Sequence, residues 1–147
     1  MQLPEYISRS EVQRVCKELG IRDWTQLREA TVRPEEAEAI QAELGREALD
    51  ISAEEFRRGL EVELEHGLRY ADANVTNNHP LLTAKIVLAH LKEMLDYYVR
   101  LRLVELEGDM FKALVQRDAD ALSATYDNVL SAREELTRWE SKRLRAL

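Results

Sequence analysis

The chain has 147 residues, with 28 Asp and Glu against 21 Lys and Arg and a formal net charge of −7. That balance excludes nucleic acid and membrane as expected partners, because phosphate backbones and anionic lipid are held by clustered Lys and Arg. Apolar residues make up 45% and charged residues 33%, with five Gly and three Pro, a composition that folds as a single helical domain over residues 1–147 rather than remaining disordered.

No apolar run approaches the ~20 residues that cross a bilayer, and the opening MQLPEYISRSE has no apolar core of a secretory signal. A cytoplasmic protein is expected. The first helix is expected from an N-cap at Ser10 to Leu19, with Gly20 as its stop, and Val12, Val15, Cys16 and Leu19 share its apolar stripe. Cys16 has no second cysteine to pair with and reads as a buried structural thiol.

After a connecting turn at Asp23 and Trp24, Pro34 with Glu35 and Glu36 opens a short second helix that Gly45 closes. These helices form an N-terminal cap over residues 1–50. Ser52 and Glu55 read as a capping box for a third helix, on which Phe56, Leu60, Leu64 and Leu68 recur every fourth residue. Residues 71–80, rich in Asn and Asp and ending in Pro80, form a loop. A long helix of roughly 40 Å is expected from Leu81 to about Glu107. A short helical stretch follows Gly108, and a final long amphipathic helix begins near Asp118, carrying Leu122, Tyr126, Val129, Leu136 and Leu144 on one face. The architecture expected is an all-α bundle built on an antiparallel helical hairpin at 51–108, with residues 109–147 supplying the C-terminal helices.

Polar residues fall on faces that should be buried. At about 100° per residue Glu63 lies with Phe56 and Leu60, and His66 sits three residues on. On the long helix His90 falls within the arc of Ile86, Val87, Leu91, Met94, Tyr97, Tyr98 and Leu101, and Glu93 borders it. Glu63-x-x-His66 and His90-x-x-Glu93 are thus reversed copies on two antiparallel helices, and four ligand-type side chains are expected to converge. Two carboxylates and two imidazoles suit iron, zinc or manganese, and one ion would satisfy several buried groups together. Glu105, Lys85 and Tyr97 are additional site candidates, and a homodimer would complete a half-site. The competing reading is a metal-free polar network in which Lys85 reaches Glu63 or Glu61 and Glu63 bonds to His90, within a non-catalytic structural or protein-interaction module. Arg133, inside the stripe of the last helix, is expected to pair with a carboxylate such as Glu105. No Ser-His-Asp order, phosphate-binding Gly loop or Cys-x-x-Cys pair is present, so no reaction is assigned.

The segments EVELEHG at 61–67, NVTN at 74–77, KIVLAHLKE at 85–93 and DYY at 96–98 resemble an uncharacterised bacterial and phage family, a domain of unknown function. The resemblance covers roughly residues 50–108 and implies a helical hairpin without implying an activity. A weaker similarity to ferritin-like carboxylate and histidine metal proteins rests on Glu63-x-x-His66 alone.

Overall fold

The computed structural model describes residues 7–145, the Glu47 side chain excepted. All regular structure among them is helical, and the chain divides into two compact units, Met1–Leu95 and Asp96–Leu147. None of the described helices is long and apolar enough to cross a membrane.

In the first unit α1 spans Arg9–Leu19. Its N-cap is Ser8, not Ser10: Ser8 has the extended backbone of a cap and its Oγ accepts the Glu11 N–H at 3.2 Å, while Ser10 already lies in the first turn. Gly20 ends the helix at φ 68°, a left-handed conformation that only glycine adopts without strain. Asp23 then caps a single 3-10 turn, Trp24–Gln26, and Trp24 is fully buried. Helix α2 (Pro34–Glu43) and the one-turn α3 (Arg46–Leu49) meet at Gly45, also at positive φ. Buried Gln41 ties the two together by donating Nε2–H to the Ala48 and Ile51 carbonyls at 2.7 and 2.9 Å.

Helix α4 spans Ala53–Arg69, begun by Ser52, whose Oγ accepts the Glu55 N–H. It buries Phe56, Gly59, Leu60 and Leu64, the stripe its four-residue spacing dictates. Helix α5 (Pro80–Glu93) returns along α4 and buries Thr83, Ala84, Val87 and Leu91. Helix α2 packs on both, and Val12, Ile40, Phe56, Leu60, Leu64 and Leu91 become solvent-free, each contributing roughly 1.5–3 kcal/mol.

The long helix expected over 81–107 is two helices. Met94 is extended at φ −157°, ψ 117°, ending α5, and α6 begins anew as Tyr97–Gln116. Met94, Tyr97, Tyr98 and Leu101 continue the helical spacing across the break, so periodicity alone passes over it. Conversely, Gly108 interrupts nothing, and the short stretch expected after it is the second half of α6.

In the second unit α6 and α7 (Ala119–Leu144) form an antiparallel hairpin turned by Arg117 in the left-handed region and capped by Asp118. Val99, Ala113, Val129 and Ala132 fill its seam. Ion pairs cross it, among them Arg100 to Glu140 at 2.6 Å, Glu107 to Arg133 at 2.8 Å and Arg102 to Glu135 at 3.3 Å. Arg133 therefore meets Glu107 and not Glu105, which is exposed on α6.

Candidate functional site

Three of the four expected ligand-type residues meet. Glu63, with only 13% of its side chain exposed, faces His90 Nδ1 across the α4–α5 seam at 3.1 Å through one carboxylate oxygen and His66 Nδ1 at 3.7 Å through the other. Glu63 is thus shared between an imidazole one turn along its own helix and an imidazole on the facing helix.

The register of that pair keeps Glu93 away. Helix α4 runs towards the 70–79 loop and α5 runs away from it. With Glu63 opposite His90, His66 lies about 4.5 Å nearer the loop and Glu93 about 4.5 Å further from it, at 1.5 Å per residue. The two outer residues of the reversed motifs are therefore ~9 Å apart along the axis, on opposite sides of the central pair. Convergence of all four would need a register shifted by three residues. No group of three or more His, Cys, Asp or Glu among the described residues is gathered closely enough to hold a metal ion, the Glu63, His66 and His90 trio included. Glu93 and Lys85 are exposed, while Tyr97 and Glu105 lie on α6 in the second unit, where Tyr97 packs edge-on against Tyr98 at 5.1 Å between centroids. Glu61 is held by Arg57 at 2.8 Å and accepts the Val32 N–H at 3.1 Å, so it fastens the segment before α2 to α4.

The loop beside Glu63 is built from side-chain amides. Asn74 donates to the Gly67 carbonyl at 3.0 Å and to Asn78 Oδ1 at 2.8 Å, and its own Oδ1 accepts from the Thr76 N–H and hydroxyl. Asn77 and Asn78 occupy the left-handed region at φ 50° and 59°, which asparagine tolerates better than most residues. Asn77 also donates to the Ile7 carbonyl, fastening the loop to the residues before α1. His79 closes the loop as the N-cap of α5, its Nδ1 accepting the Leu82 N–H at 3.4 Å. Burial holds its pKa below the usual 6.5, against the pull of Glu11. Between α4 and this loop lies a shallow cleft of about 210 Å³, lined by Glu63, His66, Tyr70, Asn74, Thr76 and Ile86 among others.

One buried carboxylate bonded through both of its oxygens is one the spacing did not single out. Glu36, 2% exposed, accepts from the Arg22 backbone and guanidinium and from the Arg33 N–H in four contacts of 2.6–3.1 Å. Burial alone would raise its pKa; the bonds from Arg22 and Arg33 carry it below the usual value. Glu36 read as an N-terminal helix charge because Arg22 is fourteen residues away in sequence.

A family model described as "Protein of unknown function (DUF5661)" matches residues 12–107. The match takes in all four signature segments and reaches back over α1 and α2. No curated protein and no solved structure matches the chain.

Proposed function

The chain belongs to the DUF5661 family of proteins of unknown function, and on that premise we propose that it is a non-catalytic protein-interaction module whose Glu63–His66–His90 network fixes the register of the α4–α5 hairpin. The observation that carries this reading is the 3.1 Å approach of His90 Nδ1 to Glu63 Oε1. A partly buried carboxylate paired with an imidazole from the facing helix is satisfied without an ion, and sliding the helices by one turn would separate them. The large apolar residues left exposed on α6 and α7, among them Phe111, Leu114 and Tyr126, support action by surface contact.

A second reading, a small iron, zinc or manganese site for which Glu63, His66 and His90 would have to draw closer around the ion, rests on one specific feature. Each oxygen of the Glu63 carboxylate faces an imidazole nitrogen, and Glu63 and His66 border the open cleft. Metal analysis of tag-free protein, followed by titration with each ion, separates the two readings when repeated on a Glu63→Ala, His90→Ala double variant. The interaction-module reading expects metal-free protein with no saturable uptake. Stoichiometric metal in the parent, lost in a still-folded double variant, would replace it with the metal reading.

A further inference from the structure

The α6–α7 hairpin is two helices thick in one direction and one helix thick in the other. A pair of helices buries one seam and leaves its two broad sides to be covered. The ion pairs tell those sides apart. Glu107 and Arg133 meet on one side, and so do Arg100 and Glu140, seven residues from each along the two helices, whereas Arg102 and Glu135 mark the opposite side. Phe111 and Leu114 follow Glu107 by four and seven residues, and Tyr126 and Leu130 precede Arg133 by seven and three. Helical spacing therefore puts all four on the Glu107–Arg133 side, near the connector. They are 65%, 58%, 51% and 46% exposed. Val104 and Val115 continue the surface around the outer side of α6.

We infer that this face is a homodimer interface, which a second copy of the chain covers with the same face to form a four-helix bundle. The inference rests on the reading of the protein as an interaction module and names its partner. Two features of the face select a second copy. First, its charges nearly cancel: Arg133 is matched by Glu107, and Arg100 by Glu140 and by the buried Asp96 at 2.7 Å, so the face carries little net charge to draw a strongly basic or acidic partner and spares two copies most of the repulsion that a net charge of −7 imposes elsewhere. Second, its size fits. Two aromatic rings of ~150–250 Å² each, half or more exposed, supply ~200 Å², and the four aliphatic side chains bring the patch to the upper end of the ~300–600 Å² seen on monomers. With the flanking ion pairs as a polar rim it approaches the ~800 Å² per partner of a stable interface. In an isologous pair the same apolar patch meets itself, and two hairpins stacked face to face give the four-helix arrangement.

Sedimentation analysis of the full chain, from low micromolar to about 200 μM, tests this. The expected result is a concentration-dependent dimer that tightens as salt is raised, because screening weakens repulsion between acidic chains while apolar burial persists. Phe111→Asp and Leu130→Asp, each on an exposed site and each checked for unchanged helical circular dichroism, should weaken the dimer at least ~10-fold. Lys112→Ala, off this face, should leave it intact. A monomer throughout the range, a dimer indifferent to both aspartates, or one lost in Lys112→Ala overturns the inference. The metal titration and the Glu63–His90 pair read the other unit, so failure of the dimer and failure of the interaction-module reading are separately visible.

Discussion

A Cβ placed on Gly67 would lie 2.1 Å from Asn78 Oδ1, so the α4 backbone and the loop that leads into α5 touch where only glycine leaves room. Asn78 cannot swing aside freely, since it is buried, sits at φ 59° and accepts from Asn74. Gly67→Ala is expected to destabilise the first unit by about 1–3 kcal/mol through overpacking, although alanine is the better helix former. Adding Asn78→Gly, which keeps the left-handed backbone and removes the obstructing amide, should restore part of that loss. Chemical denaturation of the two single variants and the double variant measures both terms, and simple additivity would show that the close approach is not the cause.

The shared carboxylate makes a second expectation. Glu63→Gln retains a side-chain oxygen facing His90, whereas Glu63→Ala leaves both imidazoles without it. The alanine variant should lose on the order of 1 kcal/mol more than the glutamine variant. A double-mutant cycle on Glu63 and His90 should return a coupling of about 0.5–1.5 kcal/mol. A cycle on Glu63 and Glu93, one turn removed, should return almost none.

Glu36 and Arg22 carry the largest expected loss. Glu36→Ala strands a guanidinium and two backbone N–H groups, and removal of one member of a buried pair costs about 3–5 kcal/mol, towards the lower end here because the Arg22 side chain is 29% exposed. The folded-state pKa of Glu36 lies below its ordinary value of 4.5. Its contribution is thus complete above about pH 4.5 and falls away as the pH drops through the folded value. Acid titration of the midpoint for urea unfolding should show this component in the parent and not in Glu36→Gln.

His79 gives a pH dependence in a different window. Its neutral Nδ1 is the acceptor that caps α5, and burial holds its pKa below 6.5. The unfolded chain therefore takes up the proton first as the pH falls, so this contribution is complete above pH 6.5 and is lost progressively below it. His79→Asn keeps a good N-cap without a titrating ring. Thermal unfolding of the variant between pH 7.5 and about 5 should lack the part of the slope that His79 supplies in the parent. An unchanged slope would remove His79 from the account.

Local chemistry made the helices readable. Gly20, Pro34, Ser52, Pro80 and Asp118 mark termini through caps and fixed dihedrals, and the four-residue spacing from Phe56 to Leu64 named the buried face of α4, because these signals act within one or two turns. The inward placement of Glu63 and the pairing with His90 also follow from spacing and an antiparallel return. What spacing could not supply was anything set by the match of one helix against another. The register that puts Glu63 opposite His90 leaves Glu93 a turn away, the break at Met94 hides inside an unbroken apolar rhythm, Arg133 finds Glu107, and Glu36 finds Arg22 across fourteen residues. A sequence fixes which side of a helix is apolar by local periodicity, but the height at which two helices meet is a balance of side-chain packing along their whole contact. Only the folded seam decides it.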